Sequence, residues 1–478
     1  MKLVTAEEMR ALEEQAFAAG SSSAQLMENA GRAIAVAIRD RLGGARARRI
    51  VLLVGPGKNG GDGLIAARHL YDFGADLIVF LVAPRLEPDP HLEALRAREI
   101  EVVSLVEGQS DAALQEALER ADVILDAILG IGNARPLDGV IAATLSRLSR
   151  RRAPLFSVDI PTGVDPDSGS VDPAAAPADL TLTFGFSKVG LHLLPGSEYA
   201  GQVEVLDIGL GRDAGNTIQT ELLTSDWARE RLPQRPAESN KGTFGRVLIV
   251  AGSVNYTGAA SLAAIGALRA GAGLVTLAAI APVRAAVAAI LPEVTYLPLP
   301  EEDGAVAASA ADLIVRALPG YSALLIGPGL TQVSGTQAAV RGVLTVPGIE
   351  GIPAIVDADA LNALSRMPGW WDEVKFSTVL TPHPGEIARL AGSSVPAVQE
   401  ARVETARHSA SSWRQTVVLK GAHTIIARPD GQALVGPHAT ATLATAGTGD
   451  VLAGTIAGLI AQGVEPYDAA GLGVYLHG

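Results

Sequence analysis

The 478-residue sequence contains no cysteine, and this absence excludes both a disulfide framework and a thiolate zinc site. Basic residues are also scarce, because 38 lysines and arginines stand against 51 aspartates and glutamates, for a formal net charge of −13. That balance argues against nucleic acid or an anionic membrane surface as the main partner. We therefore expect neither nucleic acid nor a membrane among the partners of this chain.

Long apolar runs are missing as well. The stretch 451–461 is among the longest, far short of the ~20 residues that a membrane-spanning helix needs. The N-terminus, MKLVTAEEMRALEEQAF, is acidic and amphipathic, and it lacks the apolar core of a signal peptide. These absences predict a soluble, cytoplasmic protein.

The sequence does contain two halves that each alternate strand-like and helix-like stretches. Its length exceeds the ~250–300 residues at which single cores stop growing, and 48% hydrophobic residues are ample for large cores. The alternation predicts α/β folds with parallel sheets covered by helices. The polar, glycine-rich segment 209–220 separates the halves and predicts one domain over 1–215 and another over 222–478.

Individual elements follow from the apolar runs and their capping signals. Strands are expected at 50–54, 77–82, 123–128, 155–160, 246–251, 274–279, 324–327, 354–357 and 416–419. Helices are expected at 64–73, 258–270 and 451–459. Near the N-terminus, Thr5 with Glu8 matches a capping box, and Ser23 is a candidate N-cap for the next helix.

One glycine–aspartate loop in each half is the strongest functional signal. GPGKNGGDG, residues 55–63, follows a strand-like run, and TAGTGD, residues 445–450, precedes a helix-like run. Small residues at these places let backbone N–H groups face a phosphate at a helix N-terminus. Each loop also carries a carboxylate, Asp62 or Asp450. The pair predicts two active sites that handle phosphate-bearing ligands.

In the first half, further polar residues follow strand ends. Asp126 ends VILDAILG, Asp159 ends FSVDIPTG, and Thr162 comes three residues later. Each aspartate alone is equally consistent with a helix cap, and the glycine loop alone is consistent with a tight turn without ligand. Together with Asn59 they favour a pocket for a ligand and a hard cation such as an alkali or alkaline-earth ion.

In the second half, Asp450 at a helix start is placed to accept a proton during phosphoryl transfer in an anion hole. Lys420, after the strand at 416–419, could face a nucleotide phosphate, and His383 lies between two prolines in LTPHPGE. Asp357 and Asp359 end another strand. The alternatives are a helix N-cap for Asp450 or Asp359, a β-turn after Lys420, and a satisfied loop histidine.

The motifs GPGKNGGDG, VILDAILGIGNARP and FSVDIPTGVD, in this order, resemble the NAD(P)H-hydrate epimerase family over roughly residues 1–210. That resemblance implies a Rossmann-like three-layer α/β domain that interconverts the R and S epimers of NAD(P)H hydrated at nicotinamide C6. Asp159 would contact the hydrated ring and transfer the proton, and a potassium ion would be bound by Asn59, Asp126 and Thr162. The residues that would hold the hydrated dinucleotide are Lys58, Asn59, Gly60, Gly61, Asp62, Gly130, Ile131, Gly132, Asn133, Ala134, Arg135, Pro136 and Asp159.

The second half carries AGSVNYTGAA, GPGL, DADALN, TPHPGE, KGAHT and AGTGD, a set that resembles the ADP-dependent NAD(P)H-hydrate dehydratase family of ribokinase-like α/β fold. This resemblance implies that Asp450 takes the proton of the C6 hydroxyl of the S hydrate, whose oxygen attacks ADP, with Mg²⁺ neutralising the phosphates. Ala259, Gly329, His383 and Asp450 would contact the hydrated dinucleotide. The ADP contacts would be Lys420, Gly421, Ala422, His423, Thr424 and Gly449.

Together the two resemblances imply a bifunctional NAD(P)H-hydrate repair enzyme. Its substrates would be hydrated NADH and NADPH (NADHX and NADPHX) and ADP, its products NAD(P)H, AMP and phosphate, and its assembly a homo-oligomer. Lys58 stands where the family usually has asparagine, and the family usually continues beyond Gly478, so a shortened C-terminus is expected. The alternatives are a ribokinase-like small-molecule kinase and a non-catalytic dinucleotide-binding first half.

Overall fold

The computed structural model describes residues 1–86, 88–105, 111–132, 136–211, 213–347 and 351–478. The chain forms two compact units, Lys2–Ile218 and Gln219–Gly478, the latter joined by Met1. Both units are built from parallel strands and helices, so the predicted α/β class is confirmed. Within the described ranges, no helix combines the length and apolar composition that crossing a bilayer requires.

The first unit contains a seven-stranded sheet. The strands of this unit are Lys2–Val4 (β1), Arg49–Val54 (β2), Asp76–Leu81 (β3), Glu101–Ser104 (β4), Val123–Ala127 (β5), Leu155–Val158 (β6), Leu180–Phe184 (β7), Ser187–Lys188 (β8) and Gln202–Leu206 (β9). The helices are Ala6–Ala18 (α1), Ser23–Arg41 (α2), Lys58–Asp72 (α3), Pro90–Arg96 (α4), Asp111–Arg120 (α5), Gly139–Leu148 (α6) and Gly196–Ala200 (α7). The sheet has the order β4-β3-β2-β5-β6-β7-β9, and every neighbouring pair is parallel. Outside it, β1 pairs with β8.

Strand β2 shows why this unit has three layers. Ile50, Leu52 and Val54 belong to one hydrophobic cluster, whereas Val51 and Leu53 belong to another. Because successive side chains of a strand point to opposite faces, the two clusters lie on opposite sides of the sheet. An almost continuous apolar run is therefore what a strand covered by helices on both faces requires.

The predicted capping box at the N-terminus is confirmed. Thr5 Oγ1 accepts a hydrogen bond from Glu8 N at 3.1 Å, and Glu8 Oε2 accepts one from Thr5 N at 2.8 Å. The predicted cap of α2 is wrong by one residue. The N-cap is Ser22, whose Oγ accepts from Gln25 N at 3.1 Å, and Ser23 is the first helical residue.

The second unit is larger. Its strands are Thr220–Leu222 (β10), Arg246–Val250 (β11), Leu274–Ala279 (β12), Thr295–Pro298 (β13), Glu301–Glu302 (β14), Ala305–Val306 (β15), Ala323–Ile326 (β16), Ala354–Val356 (β17), Thr378–Leu380 (β18), Thr416–Leu419 (β19), Ile425–Ala427 (β20) and Ala433–Val435 (β21). Its helices are Ser225–Arg231 (α8), Thr257–Arg269 (α9), Ala281–Ala288 (α10), Ala310–Ala317 (α11), Ser334–Leu344 (α12), Asp359–Leu364 (α13), Trp370–Glu373 (α14), Pro384–Ala391 (α15), Val395–Glu400 (α16), Arg402–Trp413 (α17), Thr448–Ala461 (α18) and Pro466–His477 (α19).

The main sheet of this unit runs β13-β12-β11-β16-β17-β18-β19-β20-β21-β10. From β13 to β19 all pairs are parallel, whereas β20 is antiparallel to both β19 and β21. A separate hairpin joins β14 to β15. The parallel part brings the carboxyl ends of β16, β17, β18 and β19 to one edge, where α/β sheets bind ligands.

The helices α3 and α18 both begin earlier than predicted, inside the glycine–aspartate segments. Helix α3 starts at Lys58 rather than at residue 64, and α18 starts at Thr448 rather than at residue 451. The glycines of α3 pack closely instead of forming a flexible loop, since a Cβ on Gly63 would lie 2.5 Å from the Cβ of Ala127. Close packing therefore outweighs the low helix propensity of glycine at these positions.

Candidate active sites

A cavity of about 460 Å³ lies at the carboxyl ends of β2, β5 and β6 in the first unit. Seven of the predicted dinucleotide-binding residues line it: Lys58, Asn59, Asp62, Gly130, Ile131, Gly132 and Asp159. Gly60 and Gly61 belong to the same first turn of α3, and Pro136 lines a neighbouring pocket together with Gly130. Asn133, Ala134 and Arg135 fall outside the described residues.

Asp159 follows β6 with a left-handed backbone, at a φ of 66°. Its Oδ1 accepts hydrogen bonds from Thr183 Oγ1 and Phe184 N, both at 3.2 Å, and from Lys188 Nζ at 2.5 Å. A non-glycine residue in this conformation is strained, and the surrounding structure has to hold it. Lys188 was not predicted from the sequence, because no motif marks a lysine in so short a strand.

Three carboxyl groups meet in this cavity. Burial raises the pKa of Asp62 well above its ordinary value, and the carboxylates of Asp159 and Glu13 raise it further. Burial also raises the pKa of Glu13, which projects from α1 and was not predicted as a site residue. Asp62 and Glu13 therefore keep their protons to higher pH than exposed carboxyl groups do, and the site can hold protons beside Asp159.

Asp126 and Thr162 lie together next to the cavity. Thr162 donates to the Asp126 carboxylate through Oγ1 at 2.7 Å and through its backbone N at 2.9 Å. Burial raises the pKa of Asp126, and these hydrogen bonds oppose the rise. Thr162 Oγ1 also accepts from Leu129 N at 3.1 Å, and the neighbouring Gly130 faces the side chain of Asn59. The three residues predicted to bind potassium thus gather around residues 126–130.

The side chains of Asn59, Asp126 and Thr162 would offer a metal ion only oxygen ligands. In the part of the chain that the structure describes, no basic side chain forms an ion pair with Asp126, and Asn59 Nδ2 is buried without a hydrogen-bond partner. The described residues also contain no group of three or more histidines or acids that could hold a metal. A single buried carboxylate with amide and hydroxyl oxygens suits a monovalent hard ion better than a transition metal.

Arg85 supports the glycine loop and was missed by sequence reasoning. Its Nε donates to Asp89 Oδ2 at 2.6 Å, and its Nη1 donates to the carbonyl oxygens of Gly55 and Gly57. The side chain is 10% exposed. A guanidinium group between these partners fixes the turn that leads from β2 into α3.

In the second unit, Asp450 lies in the first turn of α18, after the left-handed N-cap Gly447. Burial raises the pKa of Asp450 to about 6, and the carboxylates of Asp357 and Asp359 add to the rise whereas Lys420 opposes it. A carboxyl group with this pKa is ionised at neutral pH and yet a stronger base than an exposed aspartate. These are the properties that a general base needs.

Lys420 lies beside Asp450 and the first turn of α18. Its Nζ donates to Asp357 Oδ1 at 2.8 Å, and the same oxygen accepts from Thr381 Oγ1 at 2.7 Å. Burial lowers the pKa of Lys420, but the carboxylates of Asp357 and Glu386 outweigh it and the pKa is raised overall. A Cβ on Gly449 would lie 3.3 Å from Lys420 Nζ, so the ammonium group faces the first turn of α18.

His383 is the N-cap of α15 and not part of a free loop. Its Nδ1 accepts from Gly385 N at 3.0 Å, and its backbone N donates to Glu386 Oε2 at 2.8 Å, which completes a capping box. Burial lowers the pKa of His383, and the charges of Lys420 and Arg389 lower it further. The imidazole is therefore neutral at pH 7.

Ala259 and Gly329, predicted to contact the dinucleotide, touch each other. A Cβ on Gly329 would lie 2.9 Å from the Cβ of Ala259, and the backbone φ of Gly329 is 64°. Asp359 fixes the loop after Gly329, because it accepts from Thr331 N at 2.8 Å and from Gln332 Nε2 at 2.9 Å. Asp359 is itself the first residue of α13.

The residues from Lys420 to Thr424 form the turn between the antiparallel strands β19 and β20. Gly421 and Ala422 are exposed, whereas His423 is buried and its Nδ1 lies 3.1 Å from the carbonyl oxygen of Gly436. The imidazole of His423 therefore points into the protein, and its backbone N–H donates to the carbonyl oxygen of His438 at 2.9 Å. Thr424 Oγ1 donates to Gly421 O at 2.9 Å.

Two protein-family models match this chain. Residues 247–478 match the model described as NAD(P)H-hydrate dehydratase, and residues 23–190 match the model described as YjeF-related protein N-terminus. Among solved structures, an ADP/ATP-dependent NAD(P)H-hydrate dehydratase from Bacillus subtilis, co-crystallised with ATP and Mg²⁺, is 37% identical. The match covers 54% of this chain and 87% of that one, with a TM-score of 0.46.

Relatives that contain both units match the sequence of this chain over its whole length. The bifunctional NAD(P)H-hydrate repair enzyme Nnr of Moorella thermoacetica is 41% identical over 100% of this chain and 91% of its own length. The enzyme of the same name from Thermofilum pendens is 37% identical over 100% of this chain and 91% of its own length. With this identity across both units, the chain belongs to the family of bifunctional NAD(P)H-hydrate repair enzymes.

Proposed function

We propose that this chain repairs hydrated NAD(P)H at two active sites. The cavity of the first unit interconverts the R and S epimers of the hydrate, and the site around Asp450 dehydrates the S epimer with ADP. The observation that carries the proposal is the group of Asp450, Lys420 and Asp357 at the start of α18, in a chain whose relatives carry both units. That group combines a base, a cation and a helix N-terminus in one place.

In the dehydratase step, Asp450 accepts the proton of the C6 hydroxyl while the oxygen attacks the terminal phosphorus of ADP. A P–O bond forms to the hydrate, and the bond to the leaving AMP breaks. Loss of phosphate from C6 and of a proton from C5 then restores the dihydropyridine ring. Lys420 and the backbone N–H groups around Gly449 stabilise the negative charge on the transferred phosphoryl group.

Mg²⁺ fits this site as a companion of the nucleotide. Asp357 and Asp359 flank Asp450, but Asp357 is already bound to Lys420 and Thr381. Mg²⁺ is usually held by one or two carboxylates together with substrate phosphates and water, and it neutralises phosphate charge when bound. The two aspartates would therefore hold the ion only when ADP supplies the remaining ligands.

In the epimerase step, Asp159 moves the proton at the hydrated ring. Its Oδ1 is held by three donors, and the residue lines the cavity where the ring would lie. Asp62 and Glu13, whose pKa values are raised by burial, are available as proton holders on the same cavity. Lys58 at the start of α3 and the N–H groups of that turn would bind the pyrophosphate.

We also propose that Asn59, Asp126 and Thr162 hold a potassium ion. The support is the oxygen-only donor set and the buried carboxylate of Asp126. A bound K⁺ would balance that carboxylate and fix the loop at residues 128–130. Replacing potassium by tetramethylammonium in the assay should slow epimerisation and leave dehydration of the S epimer unchanged. Equal epimerisation rates in both buffers would contradict this assignment.

The cytoplasmic location and a homo-oligomeric assembly also remain proposals. The first rests on the short apolar runs of the sequence, and the second rests on the family resemblance. Light scattering on the purified chain would measure the assembly, and a monomer at micromolar concentration would contradict the second proposal.

Two single substitutions test the function. Asp159→Asn should leave ADP-dependent NADH release from S-NADHX intact and abolish consumption of R-NADHX, whereas Asp450→Asn should stop NADH release and leave epimerisation intact. Losing a general acid–base group costs about 10²–10⁴-fold in rate. Formation of a stable phosphoester instead of NADH and phosphate would replace this function by that of a small-molecule kinase.

A further inference from the structure

Lys188 is a fully buried lysine in the short strand β8. Its side chain is 0% exposed. Its Nζ donates to Asp159 Oδ1 at 2.5 Å, to Thr183 Oγ1 at 3.0 Å and to the carbonyl oxygen of Phe184 at 3.1 Å. An ammonium group has three protons, so these acceptors use its whole hydrogen-bonding capacity.

The two oxygens of Asp159 have different surroundings. Oδ1 accepts from Lys188, from Thr183 Oγ1 and from Phe184 N. Oδ2 makes no hydrogen bond with any residue in the described ranges. Asp159 lines the cavity, and Lys188 is not among the described residues that do. Lys188 therefore cannot touch a ligand in the cavity, whereas Asp159 can.

We propose that Lys188 is a positioning residue that holds Asp159 Oδ1 and thereby aims Oδ2 at the substrate. The proposal rests on the role of Asp159 given above. It explains why the fold keeps a buried ion pair at this place, since the desolvation of two charges usually cancels their attraction. It also explains how the strained, left-handed Asp159 is kept in place, because Lys188 and Thr183 both bind Oδ1 of its carboxylate.

The test is Lys188→Met in the full chain, with steady-state epimerisation of R-NADHX as the readout. A catalytic group displaced by about 1 Å costs about 100-fold in rate, so kcat should fall about 100-fold. KM should stay within about threefold, because the residues that line the cavity are unchanged. The matched control is Lys2→Met on the paired strand β1, where Val4 is the register partner of Lys188. This control should keep the wild-type kcat.

Dehydration of S-NADHX by the same chain checks that each preparation is intact. If kcat of Lys188→Met equals that of the wild type, or if only KM rises, the inference is overturned and the proposed function stands.

If Lys188→Met does not fold, Thr183→Val replaces it, because this variant removes one donor to Oδ1 without leaving an unpaired charge. Loss of one hydrogen bond to a charged group should lower kcat about tenfold at constant KM, and an unchanged kcat overturns the inference. A wild-type chain that does not epimerise overturns the proposed function itself.

Discussion

Burial and two neighbouring carboxylates raise the pKa of Asp450 to about 6, and this value sets the pH range of the dehydratase. The base must be ionised to accept a proton, so kcat/KM for NADH release should be constant near pH 8. Below about pH 6 it should fall about tenfold per pH unit. Asp372→Asn, a change to an exposed acid, should leave the profile unchanged. A profile that stays flat down to pH 5 would contradict the assigned role of Asp450.

The same raised pKa makes a prediction about stability. The folded state binds the Asp450 proton more tightly than the unfolded chain does, so the ionised carboxylate destabilises the fold above about pH 6. Asp450→Asn should therefore raise the thermal unfolding temperature at pH 8 while it abolishes dehydration. The gain should shrink as the pH falls through about 6 toward 4. A lower unfolding temperature at pH 8 would show that the carboxylate is stabilised by a partner.

At the residue scale, the sequence was informative where chemistry is carried by a local motif. The motifs predicted that Asp159 and Thr162 follow a strand and that Asp450 lies at a helix start. In the structure, Asp159 and Thr162 follow β6, and Asp450 lies in the first turn of α18. Lys188 and Arg85 could not be predicted, because each reaches its site from an element that carries no motif. Their importance depends on tertiary contacts, which neither periodicity nor spacing reveals.

At the element scale, the glycine loop of the first unit owes its composition to packing. A Cβ on Gly55 would lie 1.9 Å from the carbonyl oxygen of Ile128, whereas a Cβ on Gly57 would meet nothing within 4 Å. Sequence reasoning described the whole segment as a loop, yet its second half is the first turn of α3. Low helix propensity concealed this turn, since the tertiary contacts that favour it are not visible in the sequence.

Gly55→Ala and Gly57→Ala form a matched pair that tests this account. Gly55→Ala should lower the free energy of unfolding by about 2–3 kcal/mol, because backbone atoms have to move apart. Gly57→Ala should cost less than about 1 kcal/mol, the difference between glycine and alanine at an N-cap. Denaturant unfolding followed by circular dichroism would measure both. Similar losses in the two variants would argue that conformational freedom, and not close packing, selects glycine here.

The short strands after β19 show another limit of sequence reasoning. Strands β20 and β21 have three residues each, and β20 runs antiparallel to both β19 and β21, in contrast to the parallel strands before it. Three residues are too few for an alternating pattern to be recognised. The longer parallel strands β11, β12 and β19 were predicted within one or two residues, because continuous apolar runs of that length mark buried strands.

At the scale of the whole molecule, each unit contains its own candidate site, and under the proposed function the S hydrate formed at one site has to diffuse to the other. A mixture of Asp159→Asn and Asp450→Asn chains should therefore convert both epimers to NADH, although neither chain does so alone. Recovery of NADH at 340 nm over time would measure this. No recovery of the R fraction from the mixture would contradict free exchange of the substrate between the two sites.

The central claim is that one chain carries two complementary repair activities. The most direct measurement is the absorbance at 340 nm when the purified chain meets a mixture of R- and S-NADHX with Mg²⁺ and K⁺, with and without ADP. We predict full recovery of NADH from both epimers, and only when ADP is present. Recovery that stops at the S fraction would contradict the epimerase assignment, and no recovery with ADP would contradict the dehydratase assignment.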